Sequence, residues 1–249
     1  LSLDSQNAVN WESLAPQFNH IDSIHKPNSI LECTGLLYSI SSLNQAQINK
    51  EFHQYLKSSV LKSLSNLDRY TFTLAMTGLS KSKIEFQDWE IVFDFLLNNR
   101  MTLSASQLLE GLIALFSNSV LSNFDLEEIQ FIMTEISKNQ SCLSISDITQ
   151  FVFLCQSYKL EDLIISKKIE LSLLYDSRVE ITDLVNLAST LAKSSKGTNA
   201  LWERIVNQMT MKNISLDEGA TMLWAASSMG QDGDDMLFLF EKTMARLQE

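Results

Sequence analysis

Residues 181–193 read ITDLVNLASTLAK, and residues 216–230 read LDEGATMLWAASSMG. Both stretches place apolar and small residues three and four positions apart, which is the spacing of one buried face on an α-helix. Each stretch also has, at or near its start, a residue that can accept a hydrogen bond from the free amides of a first helical turn. The same pattern recurs outward from these two stretches along most of the chain.

Copies of this helix pattern are spaced 35 to 40 residues apart. The predicted cap residues that mark the copies are Asp68, Ser106, Ser146, Thr182 and Asp217, although Ser215 and Glu218 have capping-box spacing and would start the last helix two residues earlier. The second, sixth and ninth residues after each marker are predicted to face the core. In the first copy these are Tyr70, Leu74 and Thr77. An amphipathic helix is therefore expected to open each repeat unit.

A second periodic segment follows each of these helices. Its predicted core residues include Trp89, Val92 and Leu96, then Trp202, Ile205 and Met209, and finally Leu237, Phe240 and Met244. Residues 161–175 fit this spacing less cleanly. Ser29 and Glu32 have the spacing of a capping box and predict one earlier hairpin, whose second helix would run from about 45 to 64.

These patterns predict an all-α fold, an α–α superhelix of about six stacked helical hairpins in units of 35–40 residues. A two-helix unit cannot bury its apolar face alone, so stacked units share one core. The helical repeat domain is expected over residues 29–249. Residues 1–28 hold both prolines and are expected to form an N-terminal extension or a cap, with Trp11 and Phe18 as candidate partner anchors.

Composition supports a folded helical protein. Only seven glycines and two prolines occur in 249 residues, 45% of which are hydrophobic. No apolar run approaches the roughly 18 to 20 residues that cross a bilayer, so a spanning segment is not expected. Cys33, Cys142 and Cys155 are an odd number without metal-binding spacing, which favours a reducing or organellar interior. The first residue is Leu1 rather than Met, which we interpret as a processed terminus or a fragment.

The formal net charge of −11 disfavours nucleic-acid binding, because that binding depends on Lys and Arg neutralising phosphates. One stretch is locally basic. Its candidate RNA or anion contacts are Lys50, Lys57, Lys62, Arg69, Lys81 and Lys83. The alternative interpretation of this cluster is a solvated helix face.

Signatures of catalysis are missing from the sequence, which contains no Gly-rich phosphate loop, GxSxG or HExxH. No catalytic, metal-binding or cofactor-binding set is expected. His20, His25 and His53 are interpreted as surface or end-cap residues, and Cys155 as a small core residue. The run from 232 to 235 is expected to form a turn and the acidic start of the final helix. The tryptophans expected to serve core or groove packing are Trp89, Trp202 and Trp224.

Residues 181–193, 201–209 (LWERIVNQM) and 216–230 resemble the octotricopeptide, heptatricopeptide and FAST-kinase-like helical repeats of mitochondrial and plastid proteins. Those families favour a Leu-rich and Ala-rich first helix that ends near a small residue. The resemblance covers roughly residues 65–249 by pattern, with sharp matches confined to 180–230. It implies an organelle protein, often one connected with organellar RNA.

Three functions follow as hypotheses. The first is a non-catalytic accessory or structural subunit of a large mitochondrial assembly, such as an ATP synthase, a respiratory complex or a mitoribosome, acting through protein contacts. The second is an organellar RNA-binding factor that uses the basic stretch or a concave face. The third is a cytosolic adaptor that grips peptide motifs. The expected location is mitochondrial, with plastid and cytoplasm as alternatives.

Overall fold

The computed structural model describes residues 27, 29–41, 50–82, 84–175, 179–210, 213–231 and 234–245. These residues form α-helices joined by short turns, with no strand among them, which confirms the predicted all-α helical-repeat fold. The helices of the described residues are α1 (Ile30–Ser41), α2 (Lys50–Lys62), α3 (Arg69–Lys81), α4 (Phe86–Asn99), α5 (Ala105–Ser117), α6 (Leu126–Lys138), α7 (Ile145–Ser157), α8 (Ser166–Tyr175), α9 (Ile181–Lys193), α10 (Asn199–Thr210), α11 (Leu216–Ser228) and α12 (Asp234–Ala245).

Odd-numbered helices are the first helices of the hairpins, and even-numbered helices are the second. The segment that fitted the helical spacing poorly does contain a second helix, α8, but this helix begins only at Ser166. A short 3-10 helix, Glu161–Leu163, precedes it and interrupts the 3.6-residue period. The predicted N-terminal extension or cap, with Trp11 and Phe18, lies outside the described residues apart from Pro27.

Contacts divide the chain into two compact units. One unit runs to Leu103 and takes in Glu110–Asp125, and the other comprises Ser104–Leu109 and the residues from Leu126 onward. In the first unit α1 packs against α3, and α2 against α4. In the second unit α7 packs against α9 and α9 against α11, while α8 packs against α10 and α10 against α12. First helices therefore adjoin first helices, and second helices adjoin second helices, within each unit.

N-terminal caps show where each repeat begins. Asp68 is a cap as predicted, because its Oδ1 accepts a hydrogen bond from Thr71 N at 2.8 Å. The other four markers each lie two residues after the observed cap. The caps predicted at Ser106, Ser146 and Thr182 were wrong in position, whereas the earlier start of the last helix at Ser215 agrees with its capping-box spacing. The observed caps of the first helices are Ser29, Asp68, Ser104, Ser144, Glu180 and Ser215.

Reciprocal hydrogen bonding explains why Ser144 rather than Ser146 starts its helix. Ser144 Oγ accepts from Asp147 N at 3.1 Å, and Asp147 Oδ2 accepts from Ser144 N at 3.4 Å. Ser215 and Glu218 form the same capping box. Such a box satisfies two amides of the helix terminus that would otherwise lack a partner.

With the true caps, one buried stripe runs through all the first helices. Its members are the fourth, eighth and eleventh residues of each helix: Cys33, Leu37, Ile40; Phe72, Met76, Leu79; Leu108, Leu112, Leu115; Ile148, Val152, Cys155; Leu184, Ala188, Leu191; and Gly219, Leu223, Ala226. Leu223 is half-buried and the others are buried. The stripes predicted from Ser106, Ser146, Thr182 and Asp217 are these same residues and are confirmed. The stripe predicted from Asp68 was wrong, because Tyr70 is 53% exposed and Leu74 and Thr77 are only half-buried.

In two hairpins the tenth residue of the second helix contacts the first helix of the same hairpin. In the α3–α4 hairpin the rings of Phe72 and Phe95 lie 6.3 Å apart. In the α11–α12 hairpin the equivalent pair is Gly219 and Thr243, which approach so closely that a β-carbon at Gly219 would collide with the Thr243 side chain. The two hairpins therefore share one packing register.

In α4 the eleventh residue contacts the first helix of the next hairpin. Leu96 of α4 lies against Gly111 of α5, where a β-carbon at Gly111 would be 2.5 Å from Leu96 Cδ1. α4 therefore packs against two first helices, its own and that of the following hairpin. None of the described helices is long and apolar enough to span a membrane.

Candidate interaction surface

Four of the six predicted cationic contacts are exposed: Lys50, Lys62, Arg69 and Lys81. Lys81 already has an aromatic neighbour, since its Nζ lies 5.0 Å from the centre of the Tyr38 ring. Lys83 lies outside the described residues. RNA or anion binding by these exposed residues stays a prediction.

Lys57 does not belong to the exposed cationic set. Its side chain is 8% exposed, and its Nζ forms a 2.7 Å ion pair with Asp88 Oδ2. The sequence placed Lys57 among solvent-facing cations because α2 is rich in lysine and polar residues. A neutralised, buried ammonium cannot offer its charge to a phosphate, so Lys57 is removed from the candidate contacts.

Other reactive side chains are dispersed. Burial, and secondarily the charge of Lys57, lower the pKa of His53. Burial raises the pKa of the Cys155 thiol, and the nearby charge of Glu161 adds to the effect. The part of the chain that the structure describes contains no group of three His, Cys, Asp or Glu side chains placed to hold a metal ion. His20 and His25 lie outside it.

Tryptophans occupy two kinds of position. Trp89 is 1% exposed and Trp202 is fully buried, as expected for core residues. Trp224 is 47% exposed instead, on the outer side of α11. It is the ninth residue of that helix, and the ninth residue of α7 is Phe153, which is 49% exposed. A large exposed aromatic side chain therefore occupies the ninth position of both α7 and α11.

A surface groove of about 340 Å³ lies between α7 and α9 beside Phe153. Its lining residues are Ser146, Thr149, Gln150, Phe153, Asp183, Asn186 and Thr190. Gln150 and Asn186 are each the sixth residue of their helix, so the two amides stand at equivalent positions in successive repeats. The groove is therefore a product of the repeat, built from the same helical positions twice.

Two hydroxyl groups in the groove donate hydrogen bonds within their own helices. Thr149 Oγ1 donates to the Ile145 carbonyl at 2.9 Å, and Thr190 Oγ1 donates to the Asn186 carbonyl at 2.6 Å. The side-chain amides of Gln150 and Asn186, by contrast, form no hydrogen bond within the described ranges. Each amide can donate and accept at once, which matches the N–H and C=O pair of an extended peptide backbone.

Charge is unevenly distributed over α7, α9 and α11. Their first turns carry Asp147, Asp183, Asp217 and Glu218, whereas Lys193 is the one basic residue within these three helices. Hydrogen bonds from the Ser215 backbone and side chain lower the pKa of Glu218, which keeps this carboxylate ionised. The N-terminal edge of this face is therefore acidic and complements a basic ligand.

We call this surface the amide–aromatic face, defined by Gln150, Phe153, Asn186 and Trp224 together with the groove between α7 and α9. Sequence reasoning did not single out Phe153, Gln150 or Asn186. The markers Ser146, Thr182 and Asp217 share one offset from their caps, so the sequence already aligned these helices with one another. The missed signal is that Gln150 and Asn186 each follow their marker by four residues, and Phe153 and Trp224 each follow theirs by seven.

Comparison with known proteins gives no relative from which to transfer a function: no protein-family model matches the chain, and no curated protein is significantly similar to it.

Proposed function

We propose that this chain is a non-catalytic helical-repeat scaffold that serves as an accessory subunit of a large mitochondrial assembly through protein–protein contacts. The observation that carries the proposal is the amide–aromatic face, where Gln150 and Asn186 offer hydrogen bonds beside the exposed ring of Phe153. Exposed aromatic anchors surrounded by polar groups are typical of binding surfaces. The mitochondrial location rests on the family resemblance of residues 180–230.

The partner segment is expected to be extended and basic. The groove lies between two first helices that pack side by side, and its two amides occupy equivalent positions one repeat apart. A strand-like peptide can pair its backbone with both amides while one apolar side chain packs on Phe153. Lys or Arg in the segment would lie near Asp183 at the acidic edge.

Binding of single-stranded RNA is the second candidate. Exposed rings can stack on bases, and amides can pair with base edges, so Phe153, Trp224, Gln150 and Asn186 would serve this purpose as well. The carboxylates on the same helices repel phosphate, however, and the net charge of the protein is −11. The protein partner is therefore favoured.

The test is a native pull-down of the tagged chain from isolated mitochondria, with and without nuclease, analysed by mass spectrometry. The wild type is compared with Phe153→Ala, Asn186→Ala and a control, Phe131→Ala, which removes an exposed ring of α6. A defined set of proteins should survive nuclease, be lost with the first two variants and be retained by the control.

Two results would contradict the proposal. Partners that disappear on nuclease treatment would favour RNA binding, which direct titration with single-stranded RNA at low salt would then check. Identical recovery with all variants would exclude the amide–aromatic face as the binding surface.

A further inference from the structure

Three positions of the first helices α7, α9 and α11 repeat the same chemical character. The third residue is always acidic, and the three carboxylates form an acidic row: Asp147, Asp183 and Glu218. The sixth residue is an amide or a hydroxyl, and these form a polar row: Gln150, Asn186 and Thr221. The ninth residue is an exposed ring in α7 and α11 and a serine in α9, which gives a ring row: Phe153, Ser189 and Trp224.

The three rows run across the helices and not along them. α7 packs against α9, and α9 packs against α11, so equivalent residues follow one another from repeat to repeat. Residues three positions apart on one helix are neighbours, about 4.5 Å apart along its axis. The polar row therefore lies between the acidic row and the ring row.

Hydrogen bonds between successive helices hold the rows in register. Gln156 Nε2 donates to the Thr190 carbonyl at 2.7 Å and joins the C-terminal halves of α7 and α9. Thr182 Oγ1 donates to Glu218 Oε1 at 3.3 Å and joins the first turns of α9 and α11. Like ends of neighbouring helices thus meet, so the helices run in the same direction and equivalent positions lie side by side.

The rings of Phe153 and Trp224 are two helix spacings apart. The axes of packed helices are about 8 to 10 Å apart, so two spacings amount to about 16 to 20 Å. The residue between the rings in this row, Ser189, is small and half-buried, and it leaves a gap. Two exposed rings at a fixed separation favour a ligand that carries two apolar groups at that separation.

An extended peptide spans this separation with about six residues. Its rise is about 3.3 Å per residue, so five or six residues cover about 16 to 20 Å. Side chains alternate between the two sides of an extended chain, so two side chains on one side are an even number of residues apart. Six is the even number that fits, since four residues span only about 13 Å.

The polar row determines how such a peptide lies. The amides of Gln150 and Asn186 donate and accept hydrogen bonds, so they can pair with the backbone N–H and C=O groups of the ligand. Backbone hydrogen bonds of an extended chain are perpendicular to its side chains. A peptide that directs its backbone at the polar row therefore directs its side chains alternately over the ring row and over the acidic row.

Ligand side chains on the acidic side meet one carboxylate per repeat. Asp147 and Glu218 accept capping hydrogen bonds from Ser144 N and Ser215 N, at 3.4 and 2.9 Å, and both remain acceptors for a further partner. Three residues of extended ligand correspond to about one helix spacing. Basic residues at the second, fourth and sixth positions of a seven-residue stretch therefore each lie near a carboxylate.

We infer that the amide–aromatic face binds an extended segment of a partner protein with two large apolar residues six positions apart and basic residues at the second, fourth and sixth positions of that stretch. The two apolar residues pack on Phe153 and Trp224, and the basic residues face the acidic row. The inference rests on the proposed function, to which it adds a second anchor and a fixed spacing.

Three synthetic peptides of identical composition test the spacing. Phe-Lys-Ser-Lys-Ser-Lys-Phe-Ser-Ser, the matched peptide, has its phenylalanines six positions apart. The comparison peptides are Phe-Lys-Ser-Lys-Ser-Phe-Lys-Ser-Ser and Phe-Lys-Ser-Lys-Phe-Ser-Lys-Ser-Ser, with spacings of five and four. Each is titrated into the full chain in an isothermal calorimeter. The matched peptide should bind about tenfold more tightly than the other two, because only its phenylalanines reach both rings on one side.

Variants of the full chain test the two anchors. Trp224→Ala should weaken binding of the matched peptide by about tenfold and abolish its advantage over the other two, and Phe153→Ala should do the same. Phe131→Ala, which removes an exposed ring of α6, should change neither the affinity nor the preference. Circular dichroism of each variant checks that the helices are retained.

The acidic row is tested at Asp183, because its replacement leaves the capping boxes of α7 and α11 intact. Asp183→Asn should weaken binding of the matched peptide by about threefold and make its affinity less sensitive to salt. Glu203→Gln is the control, since it removes an exposed carboxylate from α10, a second helix. The control should bind the matched peptide as the wild type does.

Two results of the peptide titrations would overturn the inference. The first is equal binding of the three peptides, or a preference that survives Trp224→Ala. The second is absence of binding by every peptide at millimolar concentration. Single-stranded RNA that binds more tightly than the matched peptide, and is lost with Trp224→Ala, would also overturn it, because the face would then bind a nucleic acid.

The pull-down distinguishes failure of this inference from failure of the proposed function. Partners that depend on Phe153 but not on Trp224 would uphold the amide–aromatic face as a binding surface and exclude the second anchor. Partners that depend on neither ring would contradict the proposed function itself.

Discussion

Lys57 Nζ on α2 lies 2.7 Å from Asp88 Oδ2 on α4, and the two side chains are only 8% and 19% exposed. The pair links the second helices of two successive hairpins. A buried charged side chain loses its hydration, and an apolar neighbour does not replace it. The stability of the buried Lys57 ammonium therefore depends on its ion pair with Asp88. Lys57 thus contributes to packing between repeats.

Replacement of Asp88 by Ala should lower the free energy of unfolding by about 2 to 3 kcal/mol, because the Lys57 ammonium would remain buried without a counter-charge. Urea denaturation followed by circular dichroism measures the change. Asp94→Ala, an exposed change on the same helix, should stay within about 0.5 kcal/mol of the wild type. Equal effects of the two substitutions would show that the ion pair adds nothing specific.

Stability should fall as the pH drops through the ordinary histidine range, and His53 should contribute to the fall. Burial and the charge of Lys57 lower the pKa of His53 in the folded protein. At about pH 6.5 the His53 imidazole therefore binds a proton in the unfolded chain but not in the folded chain, so a fall in pH favours unfolding. This contribution is fully present above the unfolded pKa and is lost towards the lower, folded pKa.

Comparison of wild type with His53→Gln at several pH values between about 7.5 and 5 isolates this effect. The midpoint of thermal unfolding should decline less steeply with falling pH in the variant. Parallel declines would mean that His53 titrates alike in the folded and unfolded chains.

Ser144→Ala should destabilise the protein by about 1 kcal/mol, because it removes the hydroxyl that accepts from Asp147 N at the start of α7. Ser146→Ala is the matched control: Ser146 is exposed and lies two residues further along the same helix. Its effect should be close to zero. Thermal unfolding of both variants shows which serine is the cap. A larger effect of Ser146→Ala would show that Ser146 is the cap, as the sequence predicted.

One thiol of three should react in the native protein. Cys142 is exposed, while Cys33 and Cys155 are buried and free of disulfides. Burial raises the pKa of both buried thiols, which keeps them in the unreactive protonated form. Titration with a chromogenic disulfide reagent should give one fast equivalent in buffer and three in denaturant. Cys142→Ser should remove the fast equivalent, and a surviving fast phase would contradict the burial of the other two.

Helix type and repeat length could be predicted from sequence because they depend on local spacing. Leu184, Ala188 and Leu191 already mark a buried stripe by their period, and the structure buries all three. The residue at which each first helix begins was predicted less accurately. Ser104 and Ser106 are chemically alike, and only the side chain of Gln107, which accepts from Ser104 N at 3.1 Å, distinguishes them.

Features that depend on pairing between distant residues were not predictable. Nothing local to Lys57 indicates that Asp88 will neutralise it, because the pair forms only when α2 and α4 pack together. Exposure of Phe153 and Phe240 was likewise hidden, since an apolar residue at helical spacing looks the same in a covered and an uncovered position. Neither the amide–aromatic face nor the exposed apolar side chains of α12 could be recognised before the packing of the helices was known.

The exposed apolar side chains of α12, which are Leu237, Phe240 and Met244, also have a consequence for how the chain opens. In linear repeats each helix is stabilised by the apolar area that it buries, so a helix that leaves this area exposed has a low local free energy of opening. Backbone amide protons of α12 should therefore exchange with deuterium sooner than those of α10, whose Trp202 and Ile205 are fully buried. A ligand that buries these side chains would slow the exchange by a factor set by its concentration relative to its Kd, so the exchange rate of α12 reports whether they are covered.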